Sequence, residues 1–518
     1  MQPTKFYQLG GYHGHIKLPG KPNYDDYKEL ARVVFESRSS HIHKSNRVEL
    51  ALGMEPEKIS DPPISLTGDL LSFYPGIKPS GSSHLLLNED QVGALMKDRQ
   101  IYTPRDWYKA RIFDSISPIY FGTLDELSSK LNSLKAIGSK GDTSQANKAY
   151  REGHDTPLVF YRGVYENGRV IYNVLQKNLD PYLYGLPSTA WTQQLRVVAF
   201  VQNSNVYASR AQKVERPVVL DIGLCEASIP SLDPRLATCR HIVNSKTKLL
   251  AGGPGRPRTE FHYAESEDLS EEEIRPQIHQ FFSGHQTSTR QPILLIVFDR
   301  EITLAYLRTL GINTDDWRDG ARDLLIAEDK YSEPTYRERG ASSSKIHDRS
   351  PRRGVKQDTD FQSNRRPSPL RSASRPTDDM LYPPVSVIDI KKLYATLTNI
   401  VETDDTTWYI DTVARTLGVA VPAPGMCAGN EAVLALDVWK FMISGDPIDE
   451  RRKVLHQILK MNEANASLAM DENDEEEEEE EEPDPNNMPS SVPQAAASNA
   501  ISSMADEDSD YGGDDDSD

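Results

Sequence analysis

Three carboxylates in this chain stand where apolar runs stop or start. Asp221 follows Val218-Val219-Leu220, Asp299 closes Leu294-Leu295-Ile296-Val297-Phe298, and Glu431 opens an apolar stretch that reaches Ile443. Carboxylates gathered from strand ends and a helix start are hard oxygen donors, the kind that Mg2+ or Mn2+ takes. Two such ions about 3.5–4 Å apart can cleave a phosphodiester. Asp221, Asp299 and Glu431 are therefore the candidate metal ligands and catalytic residues. Glu226, three residues past Gly223, is the candidate substitute should the strand end bend. The same positions have a plainer use. An Asp at a strand end often caps a turn or helix, and a Glu in a first helical turn is favoured by the helix dipole. Asp389 and Asn430 invite the same capping reading.

The surrounding pattern decides which elements could position these groups. From about residue 215 strands and helices alternate. Residues 217–224, 238–243, 293–298 and 385–390 are short apolar runs of buried-strand length. Residues 270–282 read as a helix, with Ser270 as N-cap and Glu271, Glu272 and Glu273 in the first turn. Further helices are expected over 302–310, stopped by Gly311, and over 391–401, 407–417 and 431–443. Upstream, residues 1–100 are rich in Pro, Gly, Ser and His and read as loosely structured. Residues 101–210 read as a small α+β region. There Thr123–Leu134 has helical spacing, and 158–175 reads as a hairpin turning at Asn167-Gly168.

Residues 215–445 resemble the RNase H-like domain of fungal proteins distantly related to DEDD-type 3'-5' exonucleases. The resemblance rests on Val219-Leu220-Asp221-Ile222-Gly223-Leu224-Cys225-Glu226, Phe261-His262-Tyr263-Ala264-Glu265, Leu295-Ile296-Val297-Phe298-Asp299, Val387-Ile388-Asp389-Ile390 and Cys427-Ala428-Gly429-Asn430-Glu431-Ala432. It implies an α/β fold with an RNase H-like mixed sheet flanked by helices, split into 215–332 and 380–460 by an insertion. It also implies that Asp221, Asp299 and Glu431 descend from metal ligands. The departures bear on chemistry. Gly223 stands at the family's second carboxylate, Phe298 at a histidine, and Met426 at the general-base histidine. A thioether takes no proton from water, and general-base help is worth about 10²–10⁴-fold. The resemblance therefore implies a catalytically impaired exonuclease fold that associates with nucleic acid. The alternatives are an active metal-dependent 3'-5' exonuclease with a rearranged carboxylate cluster, using Mg2+ or Mn2+, and a protein-interaction scaffold.

Charge is concentrated in two segments. The formal net charge is −19, but residues 471–518 hold 20 acids and no Lys or Arg, leaving 58 acids against 59 bases elsewhere. A self-repelling tail without apolar residues cannot offset its ordering entropy, so 465–518 is expected to be disordered, with basic proteins as candidate partners. Residues 333–379 are rich in Arg, Ser and Pro and are expected to be a disordered insertion. Its Arg352, Arg353, Arg365, Arg366, Arg371 and Arg375 are candidate contacts to the backbone of single-stranded RNA or DNA. The three cysteines, Cys225, Cys239 and Cys427, lack CxxC spacing, which argues against a disulfide framework or structural zinc. No apolar run reaches the roughly 18 residues of a membrane span, and the N-terminus lacks a signal-peptide core. These features point to an intracellular protein. The Arg/Ser-rich and acidic composition points to the nucleus.

Overall fold

The apolar runs build two sheets. The computed structural model describes residues 4–9, 27–35, 71–98, 107–135, 144, 146–147, 157–184, 195–205, 207–248, 256–283, 291–326, 383–400, 408–422, 424–458 and 460–461. Residues 1–458 form one unit; of the second, 459–518, only Lys460 and Met461 are described, and both are helical. The arginines proposed for the 333–379 insertion, and the acidic tail, lie outside the described residues.

Within the region read as loosely structured, the described residues 4–9, 27–35 and 71–98 are strands, helices and short turns of the first sheet and its cover. That sheet contains β1 (Lys5–Gln8), β2 (Leu71–Ile77), β3 (Ser83–Asn88), β4 (Tyr108–Lys109), β5 (Ser115–Ile116) and β6 (Ile119–Phe121). Its order is β4-β1-β3-β2-β5, with β6 also paired to β2, and the pairings are antiparallel. The short apolar pieces suffice because they are pooled. Tyr7, Phe73, Leu85 and Leu87 from strands pack with Leu30 from helix α1 (27–35), Leu95 from α2 (Glu89–Asp98) and Leu127 from α3 (Leu124–Ser133). The expected helix at 123–134 is α3, with the Thr123 side chain accepting from the Glu126 amide.

Residues 158–175 are not a hairpin. They lie within one helix, α4 (Pro157–Leu175). Asn167-Gly168 is a strong turn signal only where solvent can reach the turn. Here Asn167 is buried and donates to the Asp114 carbonyl at 3.0 Å. A Cβ at Gly168 would come within 2.6 Å of the Ile443 side chain, so this glycine permits helices to touch. Burial of Tyr161, Val164, Tyr165, Val170, Ile171 and Val174 overrides their β propensity. Arg169, Glu166 and Tyr165 of α4 draw hydrogen-bond partners from both halves of the unit. Arg169 donates to Glu166 at 2.7 Å, to the Pro118 carbonyl at 3.0 Å and to the Gly445 carbonyl at 2.9 Å. Glu166 also accepts from Ser117 and from the Ile448 amide, and Tyr165 donates to the Met442 carbonyl at 2.7 Å.

The second sheet begins before the expected boundary at 215. Its strands are β7 (Arg196–Ser204), β8 (Val219–Glu226), β9 (Arg240–Asn244), β10 (Glu267–Leu269), β11 (Ile293–Val297), β12 (Arg318–Asp319) and β13 (Val385–Asp389). The order is β10-β9-β8-β7-β11-β13-β12. Only β8 runs against the others. Asp221 is thus the third residue of the second strand, not the end of the first.

Two helical layers cover this sheet. On one face, Val198, Phe200, Ile222, Leu224, Leu295 and Val297 pack with Ile274, Ile278 and Phe282 of α6 (Glu271–Ser283) and Leu304 and Leu307 of α7 (Arg300–Thr309). The small helices α5 (Arg210–Glu215) and α8 (Arg322–Leu325) lie before and after these. After the insertion come α9 (Ile390–Thr398), α10 (Ile410–Leu417), α11 (Ala428–Ser444) and α12 (448–458). The broadly apolar α11 lies against β7 and β8 on the other face. It buries Leu436, Val438, Trp439, Met442 and Ile443, each worth about 1.5–3 kcal/mol if fully removed from water. Contact is so close that a Cβ at Gly223 would fall 1.8 Å from the Ala428 carbonyl oxygen. Among the described residues no helix is long and apolar enough to cross a membrane.

Candidate functional site

Strands β7, β11 and β13 run in parallel, so their carboxyl ends share one edge, and each feeds a helix there. Asp299 caps α7, accepting from the Ile302 amide at 3.2 Å. Asp389 caps α9, accepting from the Lys392 amide, and its other oxygen accepts from the Arg300 amide, both at 3.0 Å. Burial, reinforced by the Asp299 charge, pushes the Asp389 carboxyl up to about 7. After β7, Ser209 and Gln212 form a reciprocal capping box that starts α5. Arg210 and Lys213 are three apart on that helix and so share a side. Both line the edge cavity.

That cavity has a volume of about 240 Å³. Its lining includes the charged residues Arg210, Lys213, Arg256, Asp299, Lys391 and Glu431. Asp299 Oδ2 lies 3.2 Å from Arg210 and 3.6 Å from Lys391, close enough for charge pairing. Neither contact is aligned as a hydrogen bond, so this buried oxygen accepts none. Burial and the neighbouring Lys391 pull Lys213 below the ordinary lysine range, while Asp299 opposes them.

Glu431, in the first turn of α11, is held by Arg256. Arg256 is 9% exposed. It also donates to the Gly425 carbonyl at 3.1 Å, lies 3.8 Å from Asp411 and stacks 4.1 Å above the Tyr409 ring. Burial pushes the Glu431 carboxyl up to about 7; Arg256 opposes this, and the charges of Asp221 and Asp411 add to it. The cation that balances this carboxylate is thus a side chain of the protein.

Asp221 is not among the residues that line the edge cavity. One oxygen accepts from His241 at 2.9 Å and from the Ala428 amide at 3.1 Å, so Asp221 caps α11 from across the sheet. His241 in turn meets Ser266 at 2.8 Å. Burial works against charge on His241, but the hydrogen bond to Asp221 and the neighbouring Cys427 outweigh it, raising the imidazole to about 9.

The expected cluster is therefore corrected in three respects. Glu226 is no substitute for Gly223. It sits five residues along β8 from Asp221, about 16 Å away at strand rise and on the opposite face, paired with Arg196 and Arg235. Gly223 marks no vacancy for a carboxylate, because the Ala428 carbonyl fills the space. Asn430 does not cap α11; it bonds the 260–262 loop, accepting from the His262 amide and donating to the Glu260 carbonyl. Among the described residues no group of three or more His, Cys, Asp or Glu side chains is placed to hold a metal. Asp221 Oδ2, Asp299 Oδ1 and Glu431 Oε1 are engaged by protein donors, while Asp221 Oδ1 and Asp299 Oδ2 are buried without a hydrogen bond.

The residues that sequence reasoning missed are the cations Arg210, Lys213, Arg256 and Lys391, and His241. Only the Ser209/Gln212 capping box hinted at two of them. Neither a scan of the chain against protein-family models nor a search of curated proteins found a match.

Proposed function

We propose that this chain is a nucleic-acid-associated protein on an RNase H-like fold, whose former metal edge has become a metal-independent, basic binding site. Three features support the fold half of this reading. They are the mixed sheet with helices on both faces, a lone antiparallel second strand between the first and third, and a late helix starting at the shared carboxyl edge. The observation that carries the functional half is the Arg256 guanidinium on Glu431, where a nuclease would keep its ion. Arg210 and Lys391 likewise flank Asp299. Replacing exchangeable cations by tethered ones removes Lewis-acid chemistry but keeps positive charge facing a phosphate backbone. The insertion arginines Arg352, Arg353, Arg365, Arg366, Arg371 and Arg375 extend that charge in sequence, though they lie outside the described residues.

The test is incubation of the full chain with labelled single-stranded RNA and DNA in Mg2+ or Mn2+, beside an Asp299→Ala control. Strands should stay full length. Binding should weaken as salt rises, with a log–log slope of about −0.7 per phosphate contact. Shortening that the substitution abolishes would overturn the reading and restore the exonuclease. Binding indifferent to salt would overturn the nucleic-acid site.

A further inference from the structure

We infer that Cys225 and Cys239 form a modification site: a thiol pair that a low-molecular-weight disulfide, such as glutathione disulfide, converts to an internal disulfide. The site goes beyond the nucleic-acid reading above and does not depend on it. Cys225 lies in β8 and Cys239 immediately before β9. Leu224 faces Arg240 and Gly223 faces His241, so the same antiparallel register sets Cys225 opposite Cys239. Glu226 turns its backbone toward the β9 side, where its amide donates to Thr238 Oγ1 and its carbonyl accepts from the Arg235 amide. Ala227 turns to β7, donating to the Val197 carbonyl. By the same alternation the backbone of Cys225 turns to β7, and its pairing with Cys239 is of the non-hydrogen-bonded kind. Facing Cα atoms in such a pair are about 4.5 Å apart and the side chains come closest. A disulfide spans roughly 4.4–6.8 Å between Cα atoms, so the backbone need not move to make one. The two free thiols already touch, with 2.7 Å between Sγ atoms and one donating to the other.

Chemistry divides the pair. The hydrogen bond with Cys225 pulls the Cys239 thiol below the ordinary thiol range, although burial opposes it; the same bond, and burial, push Cys225 up. Cys239 is thus the sulfur that becomes thiolate, the nucleophile of thiol–disulfide exchange. It is also the one nearer solvent. Cys225 is fully buried, whereas Cys239 follows the 3₁₀ turn Leu236–Thr238, none of whose residues is buried. A short exposed turn opens locally at little cost. Cys239 Sγ attacks one sulfur of glutathione disulfide and expels a glutathione thiolate. Cys225 then loses its proton and attacks Cys239 Sγ in the mixed disulfide, expelling the second. Two protein S–H bonds and one S–S bond become one protein S–S bond and two glutathione S–H bonds; the cysteines are oxidised and glutathione disulfide is reduced. The new bond would tie together the strands that carry Asp221 and His241, whose contact caps α11.

In the experiment the full chain, folded or in urea, is equilibrated with mixtures of reduced and oxidised glutathione, quenched, alkylated and digested. Trypsin cuts after Arg235 and Arg240, so an internal disulfide joins two peptides that otherwise separate. The folded chain should give that linked pair with Cys427 alkylated. Its equilibrium constant for forming the link should exceed that of the unfolded chain by about 100-fold, the constraint expected of a closed loop of about 15 residues. The unfolding midpoint should rise on oxidation and return with dithiothreitol. Cys225→Ala should stop at a glutathione adduct on Cys239; a folded variant without one overturns Cys239 as the attacking sulfur. Three thiols still free in the folded chain at a glutathione ratio that oxidises the unfolded one, equal constants in the two states, or a link to Cys427 would each overturn the pair. The comparison of folded with unfolded native chain needs no variant, so it decides the matter even where Cys225→Ala fails to fold.

Discussion

Replacing Arg256 by methionine isolates the tethered cation. Arg256 fills much of the space between Glu431, Asp411 and Tyr409, and methionine keeps the stem while deleting the charge. At pH 8 Glu431 is left buried without its counter-ion, a break that costs about 3–5 kcal/mol. The pH dependence follows from the Glu431 carboxyl, raised to about 7 from an ordinary 4.5. Its folded value lies above its unfolded one. The linked stability is therefore fully present below about 4.5 and is lost as pH rises through 7. At pH 5.5 the folded carboxyl is mostly neutral, and Arg256→Met should then cost the bond to the Gly425 carbonyl, the stacking on Tyr409 and the longer pairing with Asp411, about 2 kcal/mol. Urea unfolding followed by fluorescence at both pH values measures this. The double variant Arg256→Met, Glu431→Gln should recover about 2 kcal/mol or more relative to additivity at pH 8. A cost equal at the two pH values, or strict additivity, would refute the pairing of Arg256 with Glu431 as the source of charge balance.

Three further outcomes are expected. His241, raised to about 9 from 6.5, should contribute about 3 kcal/mol that is fully present below 6.5 and lost as pH rises through 9; unfolding midpoints from pH 6 to 9.5 should fall in the native chain and stay flatter in His241→Gln. Gly168→Ala should destabilise by about 1–3 kcal/mol despite alanine's better helix propensity, because its Cβ meets Ile443 Cγ2, and in a melting experiment Ile443→Ala, which removes that atom, should cost less in the Gly168→Ala background than in the native chain. Gly223→Asp, which rewrites the missing motif acid, should cost more than about 4 kcal/mol by driving Cβ into the Ala428 carbonyl; a soluble, Mn2+-binding variant would contradict that placement.

Local signals carried much of the second sheet. The runs at 293–298 and 385–390, the capped helix after Ser270 and the glycine stop at Gly311 fall within a residue or two of β11, β13, α6 and α7. Their apolar spacing and caps are set by neighbours in sequence. Asn167-Gly168 misled because turn propensity is decided by solvent access, which α11 removes. Strand β7 was readable as an apolar run, yet without it Asp221 was assigned to the first strand instead of the second. Arg256 had no local signal at all. It lies among glycines and prolines, 175 residues from Glu431, and only the folded chain makes them partners. A motif can suggest which carboxylates to consider as metal ligands; it says nothing of which distant cation lies beside them.

Helix α4 has a consequence for the lifetime of the molecule. Its buried arginine, glutamate and tyrosine are matched by carbonyls and amides on either side of it, from Pro118 to Gly445 and Ile448. The two sheets are therefore obliged to mature and to perish together. A polypeptide starting at residue 215 would inherit a sheet lacking β7 and a helix end stripped of its hydrogen-bond partners. Such a fragment would expose buried polar groups that the intact chain keeps matched.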